Sequence, residues 1–436
     1  MNRICIWLLM LLVAGVVFAC PAVAQPHYTL KALCRVANDN AETIKTAEED
    51  QYIAEQEKKR ALSVLIPRAT LYGSYLNYKN DDVYSPDANT LGGKLTQSFT
   101  LNGRELIAYD ISKKGIEQAV FSKEAIRSEY IFQVAEAYIR TLSNKRLVEV
   151  ADAEVDRLTT YRNSVREKLS VGNVTKTDLY RAEAELSRSK TDQIVAVNNV
   201  ENAKASIVRL AGIEDEFTVS ANDIDRQEGF AITESEIRGR ALENRYEIKD
   251  ARKTIEIATR TVAYEKGDYW PSLDLEGGYN ESDIHYGDNS SNADYDTENL
   301  YIQAELSFTL YDGGLRKAEV RQALAKVRQA KLALANQEKS IILESKEAFL
   351  DFETAKNTLI NLADEVKSAQ ENYTAVQMQF KYGMADSIDI MDANTLLVDA
   401  ERRMSNAEYT YYLSILRITY TQGDILNRLL ADAAGE

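Results

Sequence analysis

The sequence predicts a mainly helical fold with a small β part, built from a strand–long-helix unit that occurs twice. Three observations carry this reading. Aligned with itself, the chain matches in three ordered blocks. Two stretches of about 65 residues, starting at Arg104 and Leu315, contain no proline and keep a helical apolar stripe. Four shorter segments alternate apolar and polar residues with a period of two.

The repeat is read from matched residues. At an offset of 204, Asn40, Ile44, Ala47, Pro67, Gly73 and Tyr75 fall on Asn244, Ile248, Ala251, Pro271, Gly277 and Tyr279. At 209, Ser98-Phe99-Thr100-Leu101 falls on Ser307-Phe308-Thr309-Leu310. At 211, Gly103, Gly172, Asp178 and Gly212 fall on Gly314, Gly383, Asp389 and Gly423. The offset changes where Gly, Asn and Asp cluster, as insertions into loops would require. Residues 25–232 form the first copy, and residues 233–436 form the second with a C-terminal tail.

The chain opens with an export signal over residues 1–24. Arg3 is the only charge before Lys31, Ile4 to Ala19 is almost wholly apolar, and Ala22-Val23-Ala24 precedes Gln25 as a small-x-small cleavage site. A membrane anchor, or a lipoprotein acylated at Cys20, fits the pattern less well. After cleavage Cys34 is the sole thiol, so no intramolecular disulfide can form.

In each copy the order reads helix, strand, loop, strand, long helix, turn, helix. The first helix is expected from about Asn40 to Leu65, and its counterpart from about Ser235 to Lys266. Pro67 and Pro271 close them and switch the chain from helix to strand, because proline lacks an amide hydrogen and disfavours helix just before it. No other proline falls inside an expected helix, so the helices should be uninterrupted.

Strands are expected at Arg68–Tyr78, around Leu95–Leu101, at Ser272–Tyr279 and at Leu300–Leu310. In the last, every even position is apolar. The first is ambiguous, since Tyr72, Leu76 and Tyr78 oppose Leu71 and Tyr75. The hairpin tips are then Lys79–Gly93 and Asn280–Glu298. The second tip carries Glu281, Asp283, Asp288, Asp294, Asp296 and Glu298 without a lysine or arginine, and belongs in water.

The long helices, about Arg104–Lys168 and Leu315–Phe380, would each extend roughly 100 Å at about 1.5 Å per residue. Val148, Ala151, Val155, Leu158, Val165 and Leu169 match Leu359, Leu362, Val366, Ala369, Val376 and Phe380, at the three-four spacing of a coiled-coil seam. Gly172 and Gly383 end these stripes, and each long helix turns back into a second helix. Segments Ile213–Thr233 and Asp424–Glu436 lie outside the repeats.

Composition narrows the function. Lys plus Arg is 52 against 68 Asp plus Glu, a formal charge of −16, which argues against a nucleic-acid partner. Two histidines and three cysteines offer little for a metal site. No nucleophile elbow, phosphate loop or His-Glu-x-x-His occurs, so the sequence indicates neither an enzyme nor a cofactor. After Lys31 the longest uncharged run is Ala69–Tyr78, too short for a membrane helix but long enough for a barrel strand of about 9–11 residues. Four strands cannot close a barrel, and in lipid an open edge leaves amides unsatisfied, so other chains must complete the sheet.

Trp270-Pro271-Ser272-Leu273, Leu310-Tyr311-Asp312-Gly313-Gly314, and Gly383 through Asp389 and Asp392 carry a resemblance to TolC-like outer-membrane efflux proteins, over essentially the whole mature chain. The resemblance implies a homotrimer in the outer membrane of a Gram-negative bacterium: a 12-stranded β-barrel continuous with a long periplasmic α-helical barrel. It implies an exit duct, passively conducting substrates from an inner-membrane transporter (RND, ABC or MFS type) through a periplasmic adaptor, or membrane fusion protein. The protein would contact outer-membrane lipid and no nucleic acid. A periplasmic adaptor would carry one inserted helical hairpin rather than two Pro-led copies, and a coiled-coil structural protein would lack the alternation of Leu300–Leu310.

The resemblance also assigns sites. Asp389 and Asp392, three residues apart on one helical face, would line the periplasmic aperture as a pore constriction. By spacing alone, Asp389 favours a helix N-terminus and Asp178 pairs with Thr175 as a capping box. Asp392 has no such explanation, since Arg181 holds the matching place. Asp178 and Phe380 stand where the family latches its closed state, but Phe380 replaces a tyrosine and Ala385 a basic residue, so a weaker or different latch is implied. Val171, Gly172, Asn173 and Val174, with Tyr382, Gly383, Met384 and Ala385, are the expected adaptor-docking tips.

Overall fold

The computed structural model describes residues 26–77, 87–214, 217–220, 230–286 and 293–431. The leader, with Cys20, lies outside the described residues, as do Tyr78, Pro86 and Asp288. Helices α1 (Leu30–Asn40) and α2 (Glu42–Ser63) lead to strands β1 (Arg68–Leu76) and β2 (Asp87–Thr100), then to α3 (Arg104–Ser170) and α4 (Lys176–Ala211). The order repeats as α5 (Glu234–Asn244), α6 (Tyr246–Glu265), β3 (Ser272–His285), β4 (Tyr295–Ser307), α7 (Leu315–Lys381) and α8 (Ser387–Thr421), with a short α9 (Ile425–Leu430) at the end. The two long helices are each 67 residues. Among the described residues no helix is long and apolar enough to cross a membrane.

The chain divides into two compact units, each drawing on both halves of the sequence. One contains Asn38–Gln133, Gly229–Thr358 and Leu413–Glu436. Its sheet is antiparallel throughout, in the order β1-β2-β3-β4, so β2 and β3 join the two hairpins. Cross-strand partners share a face, and the register sorts the residues. Leu71, Leu91, Leu95, Tyr279, Leu300, Ile302 and Leu306 fall on one face and are exposed. Lys94, Ser98, Asp274, Glu276, Gln303 and Glu305 fall on the other. This resolves the ambiguity in β1: Leu71 and Tyr75 belong to the apolar face, whereas Tyr72 lies on the polar face over Gly92.

Glycine explains why β2 begins earlier than its side chains suggest. A Cβ on Gly92 would come within 2.8 Å of the Tyr72 ring, and one on Gly278 within 2.7 Å of the Tyr301 hydroxyl. Each glycine directly opposes its tyrosine, so the aromatic ring covers what reads in sequence as a loop. The expected tips are therefore too long. Strand pairing continues through Asp87–Gly93, Asn280–His285 and Tyr295–Glu298, placing Glu281, Asp283, Asp296 and Glu298 on strands; hydrogen bonding outlasts the apolar pattern. At the other end β4 stops at Ser307, short of the expected Leu310. Its partner there is Ser272, and the next residue, Pro271, has no amide hydrogen to extend the ladder.

The expected Ser235–Lys266 helix is broken, contrary to the sequence expectation, whereas α2 fills the expected Asn40–Leu65 helix and α1 is a further helix before it. Ala41 (φ −61°, ψ 122°) separates α1 from α2, and its repeat mate Arg245 (φ −57°, ψ 130°) separates α5 from α6. No proline is needed. Packing explains the second break: a Cβ on Gly423 would lie 3.0 Å from the Asn244 backbone. The buried Arg245 guanidinium donates to Glu247 (2.7 Å) and Glu344 (2.9 Å), and sits 4.8 Å from the Tyr420 ring centroid. Burial alone would lower its pKa, but the Glu247 hydrogen bond and the two carboxylate charges raise it. Ala241, Ile248 and Ile341 form a core beside it.

The other unit contains Met1–Ala37, Val134–Glu228 and Leu359–Tyr412. Here the expected stripes face inward: Ala151, Leu158, Val165, Leu362 and Phe380 are buried. Arg157 grips Glu401 with both terminal guanidinium nitrogens, at 3.3 and 2.9 Å. The segment after α4 also packs in this unit. Phe217 and Val219 are buried, Tyr28 N–H donates to the Thr218 carbonyl (3.1 Å), and the Tyr138 hydroxyl donates to the Ser220 carbonyl (3.1 Å).

Candidate functional site at the helical turns

Both long helices end in the same backbone motif. After α3, Gly172 (φ 78°) donates to Leu169 and Asn173 to Lys168; after α7, Gly383 (φ 76°) donates to Phe380 and Met384 to Gln379. These paired bonds close a Schellman turn, whose left-handed residue favours glycine. Each return helix then starts with a reciprocal cap. The Thr175 hydroxyl accepts from Asp178 N–H, while the Asp178 carboxylate accepts from Thr175 N–H at 2.9 Å. In the second copy, Asp386 Oδ1 accepts from Asp389 N–H at 3.0 Å, and Asp389 Oδ2 accepts from Asp386 N–H at 2.9 Å. The duplication is thus preserved down to individual caps.

The two turns are joined by contacts that the sequence did not reveal. Phe380, expected near the latch, is buried with Tyr161, Val165, Ala182, Tyr373 and Ile390. Its ring lies 5.5 Å from that of Tyr161 and has no polar group to offer. Its carbonyl instead accepts from Lys168 Nζ, which also sits 4.0 Å from the Phe380 ring centroid. The Tyr161 hydroxyl donates to the Ser387 carbonyl (3.2 Å) and is hydrogen-bonded to the Ser387 hydroxyl. Burial pushes the Tyr161 pKa up. Hydrogen bonds from the Thr175 hydroxyl and backbone hold the Asp178 carboxyl below its usual range, with smaller help from Arg181 and Ser387. Tyr161 adjoins Arg162, which falls on Tyr373 at the offset of 211, and that change of character was the available signal; Lys168 and Ser387 had none.

A cavity of about 600 Å³ opens between the turns, lined among others by Lys168, Asp178, Arg181, Tyr382 and Asp386. Val171, Tyr382 and Met384 are exposed at the turns, leaving apolar side chains in water. Asp389 and Asp392 are both exposed on α8. Asp389 therefore serves as a capping residue as well as a surface acid, whereas Asp392 forms no ion pair among the described residues. Pro67 and Pro271 each stand one residue before a strand.

The family model described as "Outer membrane efflux protein" matches residues 237–422. Outer membrane protein TolC of Salmonella enteritidis is 23% identical over 390 residues, covering 86% of this chain and 78% of TolC. This chain is similar to TolC-like outer membrane efflux proteins. The alkaline protease secretion protein AprF of Pseudomonas aeruginosa is 24% identical over 329 residues, covering 72% of this chain and 66% of AprF. The open state of the MtrE outer membrane channel of Neisseria gonorrhoeae superposes with a TM-score of 0.77 at 18% identity, over 93% of this chain and 91% of MtrE. TolC-like proteins are outer-membrane exit ducts of efflux and secretion in Gram-negative bacteria, a transport family rather than an enzyme family, and this protein is such a duct.

Proposed function

We propose that three copies of this chain, each freed of a leader ending at Ala24, assemble into one passive duct. The observation that carries the trimer is the sheet: among the described residues β1 and β4 are unpaired edges, and one face is apolar and exposed while the other is polar. In lipid such edges are costly unless neighbouring chains pair with them. Three four-stranded sheets make the twelve strands of a closed barrel, apolar face to lipid and polar face to the lumen.

The turns are the docking tips for a periplasmic adaptor, which links the duct to an inner-membrane transporter. Exposed Val171, Tyr382 and Met384 beside a polar cavity support this reading. Asp389 and Asp392 ring the aperture, six carboxylates around one axis. Lys168, Tyr161 and Ser387 hold the turns together and take the place of the family's latch, with Asp178 in a supporting role. The test is the mass of the detergent-extracted protein. The expected result is three times the mature chain; a stable monomer with full strand content would overturn the reading.

A further inference from the structure

The cavity between the two turns carries the opposite sign to the chain around it. Its lining includes the cations Lys168, Arg181 and Lys381 and the acids Asp178 and Asp386, an excess of one positive charge in a chain of formal charge −16. Both acids are committed to helix caps. Asp178 Oδ2 accepts from the Thr175 N–H (2.9 Å) and hydroxyl (2.7 Å). Asp386 Oδ1 accepts from the N–H groups of Ile388 (2.7 Å) and Asp389 (3.0 Å).

The cations are not committed in this way. Among the described residues neither the Arg181 nor the Lys381 side chain forms an ion pair or a hydrogen bond. Lys168 meets only the Phe380 carbonyl and ring. The Thr175 hydrogen bonds do most to lower the Asp178 pKa, and Arg181 adds to them by its charge without pairing. Lys381, the last residue of α7, suits the negative end of a helix dipole. Arg181, in the second turn of α4, has no such role, and its repeat mate is the acid Asp392. Its guanidinium presents a planar fork of N–H donors, the geometry that takes a carboxylate by two bonds.

Size and surroundings indicate the kind of partner. At about 600 Å³ the cavity has room for several side chains. Val171, Tyr382, Met384 and Ile388 leave apolar surface exposed at the same turns. A free anion would leave that surface in water, whereas a protein segment would cover it.

We propose that this cavity receives an acidic side chain, Asp or Glu, from the tip of the adaptor's helical hairpin, with Arg181 as its main partner and Lys381 beside it. The proposal rests on the reading of the turns as docking tips and adds the charge of what docks.

The experiment measures, by fluorescence anisotropy, the binding of three labelled synthetic helical hairpins to the detergent-solubilised full-length protein. The hairpins share an apolar tip and differ at one tip position, which is Glu, Gln or Lys. The Glu hairpin should bind about fivefold tighter than the Gln hairpin, the scale of an exposed ion pair, and the Lys hairpin should bind most weakly. Added KCl should compress this order, and Arg181→Gln with Lys381→Gln should abolish it. Both residues are exposed, so the substitutions remove no core contact. Gln or Lys binding as tightly as Glu, or an order that the double variant leaves unchanged, overturns the proposal while leaving the docking tips in place. If no hairpin binds, both readings fall.

Discussion

Lys168 holds the second turn of this protein through Phe380: its ammonium donates to the Phe380 carbonyl and lies 4.0 Å from the centre of the same ring. The contact joins the end of α3 to the end of α7. Phe380 has no hydroxyl, and its backbone carbonyl and ring face take the cation instead.

Removing this cation should loosen the turns. Lys168→Met keeps the length of the side chain but loses the donor and the cation–π contact, worth about 0.5–1 kcal/mol for the latter at exposed sites. Tyr161→Phe removes the hydroxyl bonded to Ser387, at about 1 kcal/mol. Each variant should raise channel open probability several-fold in planar bilayers, and together they should exceed either alone. Unaltered gating in the double variant, with the trimer intact, would show that these contacts are packing only.

The Asp178 cap gives a pH dependence with a definite sign. Its carboxyl is held below its ordinary 3.8, so its contribution to the first turn of α4 is fully present above that value and is lost as pH falls through the lower, folded-state value. The group is largely exposed, and the effect is local. Amide exchange at Lys176–Leu179 should stay protected from pH 7 to about pH 5, relative to intrinsic rates, and weaken below about pH 3.8. Thr175→Ala, which removes the hydroxyl partner, should reduce protection already at pH 7; equal protection in both proteins would contradict the assignment.

The glycine–tyrosine pairs of the sheet should behave as units. Gly278→Ala puts a methyl group within 2.7 Å of the Tyr301 hydroxyl, which bonds Glu276 at 2.7 Å. Displacing that ring costs about 1–3 kcal/mol by overpacking. Adding Tyr301→Ser should recover part of the loss. Heat-induced dissociation of the trimer in detergent measures both, and additive destabilisation in the double variant would rule out the pairing.

Much of the fold was legible from periodicity. The long helices were placed within two residues at each end, because a repeated stripe and a terminal glycine leave little freedom. Strand ends were not, because Gly92, Gly93 and the acids of β3 and β4 carry no apolar signal although their backbones pair. The breaks at Ala41 and Arg245 were invisible for a related reason. They are set by what packs against them, such as Gly423, rather than by local propensity. At the turns, the sequence marked Asp178 and the glycines, whereas Lys168 acts on a backbone carbonyl that no side-chain pattern records.

The central claim, that this chain forms a duct whose aperture is set by Asp389 and Asp392, is tested most directly by the reversal potential of the reconstituted trimer under a tenfold KCl gradient. The wild-type channel should be cation-selective and blocked from its periplasmic side by multivalent cations. Asp389→Asn with Asp392→Asn should move the reversal potential towards zero and weaken the block at least tenfold. An unchanged reversal potential and unchanged block in an intact trimer would contradict the account and leave Asp389 as a helix cap alone.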